Sequence, residues 1–416
     1  MASTFVSVMK HRDFFHIWLS QITSQVALNM LNFALVLHIY DLTGSTVSIS
    51  LVLIASSIPS ILFGPFSGVF ADRINYKKIL TITNFLRFLA VLLLFVAKNN
   101  MLAILEIVFL ISTFSQFFAP AELSSIPLIV PKNKLIGANS IIMTTMYASL
   151  LIGYSLAGPL ISLMTLNGLF LVCCLLYLFS TIAVARMTNY DKKEIKKMSL
   201  SSWAKDYESI WRETKLGIKK VRITKKIWQP MLKMSIGWMI LGAFVVLLPA
   251  FSQSDLMIST RLIGLVVIVP AGLGMLIGAL ILDKRKIFDF NRAINKAFFL
   301  VGIALLLFSI YRLYSGLFVS RLLSTLLVIA IGIGSSIIYI SAQTALQINA
   351  EEKWRGRVFG INSMMVNLAM SVPAFFIGGV ADLTTPFIAF LLISFAVFVY
   401  GSSLLMENQI TTTQYS

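Results

Sequence analysis

Gly68-Val69-Phe70-Ala71-Asp72-Arg73-Ile74-Asn75-Tyr76-Lys77-Lys78 stands between two long apolar runs, 46–70 and 79–97. Gly68 lets its helix approach a neighbour closely. Asp72 sets a carboxylate at the end of that helix, within reach of a helix N-terminus or an arginine. Arg73, Lys77 and Lys78 fix the short connection on one side of a bilayer, because short cytoplasmic loops retain Lys and Arg. A charged clasp between two segments of bilayer length is the pattern of a polytopic membrane protein.

The composition extends that reading to the whole chain. Of 416 residues, 58% are hydrophobic and 12% charged, with a mean hydropathy of +0.88. A soluble domain averages roughly 45–50% apolar and about 25% charged residues, so the soluble-enzyme classes are excluded. Outward from the clasp, apolar runs fall at 14–40, 46–70, 79–97, 101–119, 136–164 and 168–187. A second set follows at 230–252, 259–282, 297–311, 317–341, 357–380 and 386–406. The runs are continuous, not alternating, which predicts helices and not a membrane barrel. The run 14–40 is too long for the apolar core of a signal peptide and no cleavage site follows it, so it reads as span one.

The net charge of +17 invites a nucleic-acid reading, which its distribution excludes. The N-terminus and every second loop carry 29 Lys and Arg; the opposite face carries four, Lys98, Arg261, Arg312 and Arg321, and Arg87 lies within a span. This asymmetry predicts that both termini are cytoplasmic and that the spans are even in number. The basic segment 188–229 divides the chain into a six-span bundle, 1–187, and a second one, 230–416. Within the segment, Trp203, Tyr207 and Trp211 recur every four residues, flanked by Lys205, Glu208 and Arg212. They predict an amphipathic helix lying on the anionic inner leaflet, with a regulatory protein partner as the alternative.

Cys173 and Cys174 are adjacent in an apolar run, and His11, His16 and His38 are scattered. Neither a disulfide nor a metal site is expected, and no catalytic residue or cofactor is assigned. There is no Gly-Lys-Ser/Thr phosphate loop, so ATP is not the direct driver. Lys134-Leu-Ile-Gly137-Ala-Asn139-Ser140 opens span five, and Arg357-Val-Phe-Gly360-Ile-Asn362-Ser363 opens span eleven. The shared basic-x-x-Gly-x-Asn-Ser pattern, at the same place in each half, points to a duplicated six-helix unit of the kind found in alternating-access carriers.

The Gly68–Lys78 stretch resembles the signature loop of the major facilitator superfamily: glycine, three residues, Asp-Arg, three residues, a basic pair. Asp41-Leu-Thr-Gly44-Ser45, Phe63-Gly64-Pro65, Pro127-Leu-Ile-Val-Pro131 and Gln343-Thr-Ala-Leu346 are similar to the macrolide-efflux branch, the third drug:proton antiporter group. The resemblance implies twelve helices in two six-helix bundles and export of a small molecule. It also implies that Asp72 docks near Arg355 or Arg357 as a gate. Departures accompany it. Span four carries Ile111-Ser112-Thr113 where an arginine is common. The span-five packing motif keeps Gly153, Gly158 and Pro159 but loses its later glycines. The loop after span eight is reduced to Gly278-Ala-Leu-Ile-Leu-Asp283-Lys284-Arg285-Lys286.

Ionisable residues inside spans are functional candidates. Two stand out, Arg87 in span three and Glu106 in span four, as a proton- or substrate-sensitive pair or as an ion pair bracing two helices. Gln21, Gln25, Asn29 and Asn32 share one face of span one. That face lines a central cavity or bonds to other helices. Asn139, Tyr147, Trp238, Ser363 and Asn367 are further cavity candidates. The function expected is secondary export of amphipathic or hydrophobic small molecules from a cell membrane, by a monomer in contact with lipid and coupled to an ion, with the proton as the candidate and another cation or uncoupled transport as the alternatives. Export of a lipid or siderophore is the alternative within this fold. A membrane-embedded transferase would need a cluster of His, Asp or Glu, and a non-transporting sensor is the remaining class.

Overall fold

The computed structural model describes residues 8–131, 134–188, 212, 218–219, 221–254, 259–285, 289–310, 320–350 and 355–413. Among the described residues there is no strand. The helices in order are α1 (Arg12–Thr43), α2 (Thr46–Arg73), α3 (Tyr76–Ala97), α4 (Met101–Ile129), α5 (Leu135–Ala185) and α6 (Lys225–Ser254). They continue with α7 (Val269–Arg285), α8 (Phe290–Ser309), α9 (Ser320–Asn349), α10 (Arg355–Leu383) and α11 (Pro386–Thr413). A 3-10 turn at Thr260–Leu262 and a π turn at Gly264–Ile268 lead into α7. Hydrocarbon offers no partner to a backbone N–H or C=O, so spanning segments satisfy these groups within the helix.

Among the described residues, eleven helical stretches are long and apolar enough to cross a bilayer. One of them does so twice. α5 is broken at Thr165, whose φ of 63° and ψ of 172° are not helical, and the break falls between the runs 136–164 and 168–187. The protein is therefore an all-α, twelve-span membrane protein. Large apolar side chains such as Val96, Leu163 and Leu383 are more than four-fifths exposed, as lipid-facing residues are.

Contacts divide the chain into two compact units: Met1–His38 with Ala55–Thr214, and Ile39–Ile54 with Lys215–Ser416. In the first unit α3 packs on α4 and α5. α1 crosses α5 where Trp18 Nε1 donates to Thr145 Oγ1 at 2.9 Å and Gln21 Nε2 donates to the Ile142 carbonyl at 3.0 Å. Gly153 allows the close approach: a Cβ there would lie 2.7 Å from Asn29 Cβ and 2.8 Å from the Met30 nitrogen. The signature stretch also builds this unit. Asn75 caps α3, its side chain accepting from the Lys78 N–H. Lys77 Nζ donates to the Met187 carbonyl at 2.7 Å, placing a cation at the end of α5, where free carbonyls and the helix dipole favour it.

In the second unit α6 packs on α9, α10 and α11, α8 lies against α9 and α11, and α7 lies on α9. These seams run backbone to backbone. A Cβ on Gly242 of α6 would fall on the Met370 carbonyl of α10, and Gly274 of α7 faces Gly332 of α9. Gly302 of α8 meets Phe398 of α11, while Gly401 of α11 meets Phe299 of α8. Phe251 stacks on Phe390 at 4.6 Å, with Phe308 5.9 Å from both rings. At one end of this unit the Asp382 carboxylate of α10 takes the free N–H groups that begin α2, those of Thr46 and Val47.

The amphipathic segment with Trp203, Tyr207 and Trp211 lies outside the described residues. So do the side chains of Gly68, Asp72, Arg73, Asn139, Tyr147, Arg355 and Arg357, although their backbones lie within helices.

Candidate functional site

Four helix segments of the first unit converge on one buried polar network. Asn84 of α3 is fully buried. Its Nδ2 donates to Ser180 Oγ on the second limb of α5 at 2.7 Å and to Ser20 Oγ on α1 at 3.1 Å. The two serine hydroxyls are 2.7 Å apart, and Ser180 Oγ donates to the Ser20 carbonyl at 3.0 Å. With both its amide hydrogens committed, Asn84 presents a fixed carbonyl to Arg87, one turn along, which donates to it from NH1 at 3.2 Å. The guanidinium carbon sits 4.7 Å from the centroid of Phe118 and 6.0 Å from that of Tyr177. A cation over an aromatic face is held by the ring quadrupole, worth about 2 kcal/mol when desolvated.

The carboxylate beside this cation is Glu122. Arg87 and Glu122 are 2% and 5% exposed, and each acts electrostatically on the other. They do not touch: no ion pair within 4.0 Å joins them among the described residues. Glu122 Oε1, Arg87 Nε and the Tyr177 hydroxyl are buried with no hydrogen-bond partner. A buried polar group left unbonded costs ~1–3 kcal/mol, and three such atoms lie in this one network.

This corrects the pairing of Arg87 with Glu106. Glu106 is exposed, and α4 runs to Ile129, ten residues beyond the expected end of span four at 119. Both Pro120 and Pro127 lie inside the helix, because packed neighbours tolerate a proline in a membrane helix. Glu122 thereby moves from an expected loop into the span. Phe118 and Glu122 are four residues apart and share a face, as do Asn84 and Arg87. That double spacing was the available signal.

A family profile described as Major Facilitator Superfamily matches residues 17–374. The chain belongs to that superfamily. It is 24% identical over 370 residues to "Macrolide efflux protein A" of Streptococcus pyogenes, covering 86% of this chain and 87% of that protein. It is 24% identical over 336 residues to "Putative bacilysin exporter BacE" of Bacillus subtilis, covering 78% of each. Among solved structures, a POT family transporter in complex with a thioalcohol-conjugated peptide superposes with a TM-score of 0.77 at 12% identity, over 98% of this chain and 99% of that one. The nucleoside transporter NupG gives 0.71 at 11% identity, over 95% and 98%. These two likenesses show the fold. Family and fold are those of membrane transporters and not of enzymes.

Within this superfamily chain, the other sequence candidates are dispersed. Gln21 is buried and spent on the α1–α5 contact, with Oε1 left open, while Gln25, Asn29 and Asn32 are half-buried. On α10, Asn367 Nδ2 donates to the Ser363 carbonyl at 2.9 Å and Ser371 Oγ to the Asn367 carbonyl at 2.8 Å, so that stripe bonds to its own helix. Its neighbour Asn362 is the buried one, with Nδ2 3.7 Å from Met234 Sδ. Trp238 packs edge-on against Tyr339 at 6.0 Å, and its indole N–H is buried without a partner. Gly158 is buried, and its carbonyl accepts from Ser162 at 3.1 Å; Pro159 lies inside α5.

Proposed function

We propose that this protein is a secondary active exporter of amphipathic or hydrophobic small molecules. It works in a cell membrane by alternating access, with both termini cytoplasmic, and couples export to the proton gradient. The observation that carries the reading is the similarity to a macrolide efflux protein across 86% of the chain and 87% of that protein. The bacilysin exporter supports the same direction of movement for a different cargo. The fold supports the mechanism. Carriers built of repeated helical halves work by rocking of those halves, and a coupling ion must bind differently in the two states. The buried charged network of the first unit is chemistry of the kind such an ion requires. The transporter is proposed to act as a monomer, with lipid and its cargo as partners.

The test is export in cells lacking their own drug pumps. Expression should lower steady-state accumulation of erythromycin or of ethidium several-fold, and collapse of the proton gradient should restore it. Correct membrane insertion with unchanged accumulation of both probes would reject this substrate class.

A further inference from the structure

We propose that Glu122 is the residue that binds the transported proton, and that Arg87 is the internal cation that competes with that proton for the same carboxylate. The inference deepens the exporter reading and rests on its ion coupling. It stands on four observations. Glu122 is 5% exposed inside a bilayer-length helix. Its Oε1 has no partner. Arg87 acts on it electrostatically without forming an ion pair, and is held by Asn84 Oδ1 and the Phe118 ring. Arg87 Nε is also open.

An ionised carboxylate buried without a partner is costly, and it is relieved in one of two ways, by a proton or by an adjacent cation. This site offers both. In the arrangement seen, the Asn84–Ser20–Ser180 cradle and Phe118 retain the guanidinium, and a proton on Glu122 neutralises the carboxyl. In the alternative arrangement the proton leaves to water as hydronium, and Arg87 Nε swings to the freed carboxylate. One O–H bond breaks, one charge-assisted contact forms, and the net charge of the site rises by one when the proton is bound. Among the described residues, the titratable group that acts on Glu122 is Arg87 on α3, and Tyr177 on α5 acts in turn on Arg87. From α1 the network receives the uncharged Ser20. A ligand shifts a two-state equilibrium only through differential affinity for the states, and competition between a proton and Arg87 supplies that difference.

The experiment uses the full-length protein in nanodiscs and in proteoliposomes. Infrared difference spectra between acid and alkaline pH should show a buried carboxylic C=O band in the wild type and in Glu106→Gln. The band should vanish in Glu122→Gln and return, with a displaced titration midpoint, in Glu122→Asp. In proteoliposomes, pH-driven accumulation of erythromycin should fall at least tenfold in Glu122→Gln, and the residual flux should lose its dependence on pH. A band that persists in Glu122→Gln, or full pH-driven accumulation by that variant, overturns the assignment. If the wild type carries no erythromycin, the exporter reading of this cargo fails while the infrared band still decides whether Glu122 binds the proton. Should Glu122→Gln fail to fold, the aspartate variant decides: an unmoved midpoint overturns the proposal.

Discussion

Thr46 and Asp382 are joined twice: the Thr46 N–H donates to Asp382 Oδ1 at 2.8 Å, and Thr46 Oγ1 donates to the same oxygen at 2.7 Å. Ser45 Oγ and the Val47 N–H donate to Oδ2, while Ser50 Oγ reaches the Ala374 carbonyl at 2.9 Å. The first turn of a helix carries unsatisfied N–H groups and positive partial charge. Here the cap comes from a residue 336 positions away in sequence, so the start of α2 is tied to the end of α10 by chemistry that usually stays local.

Removing that cap should loosen α2 at its origin. Asp382→Ala is expected to cost about 1 kcal/mol, the usual worth of a helix N-cap. Hydrogen exchange over residues 45–52 should accelerate about five-fold, with exchange in α8 unchanged. Equal protection in wild type and variant would show that the cap contributes nothing to the local stability of α2.

Thr165 is a β-branched residue at φ 63°, in a region that glycine occupies almost alone, at a cost of about 1–3 kcal/mol. Thr165→Gly should therefore raise the thermal midpoint of the purified protein, and Thr165→Val should not. Gly168, three residues on, tolerates no such exchange, since a Cβ there would lie 2.5 Å from Met164 Cβ. Gly168→Ala should lower the midpoint.

Gly153 and Gly64 separate packing from mere presence. A side chain at Gly153 collides with backbone and Cβ atoms of α1, whereas at Gly64 nothing lies within 4 Å. Gly153→Val should cost about 1–3 kcal/mol, as overpacked cores do, and reduce monodisperse yield on size exclusion. Gly64→Ala should leave yield unchanged. Similar losses in both would refute the close crossing of α1 and α5.

Orientation is testable without any cargo. Reporter fusions within Gly44–Ser45 and after Thr413 should report opposite sides of the membrane, given 29 basic residues on one face and four on the other. The same side for both would end the twelve-span arrangement.

Span number was legible, and so was position apart from the far end of span four, because hydropathy and the sidedness of Lys and Arg are independent signals that agreed. Even the break at Thr165 sits in the gap the sequence left. The buried site was half legible. Arg87 was conspicuous as a charge within a span, but Glu122 was not, because the apolar run of span four was ended at 119, three residues short of it. Asn84, Ser20 and Ser180 carry no charge and look like ordinary small polar residues. Only three-dimensional convergence makes them a cradle. Asp382 escaped for the opposite reason: a carboxylate at a span end resembles any solvated loop residue until the distant helix it caps is in view.

The glycine seam between α8 and α11 also governs how the protein is made. Gly302 fits the backbone at Phe398 and Gly401 fits the backbone at Phe299, so each helix is the mould of the other. The two glycines stand 99 positions apart in the order of synthesis. During biogenesis α8 must wait in the lipid with a smooth, narrow groove exposed until α11 leaves the ribosome and enters the bilayer. A chain cut short before α11 would leave Gly302 without the backbone it fits.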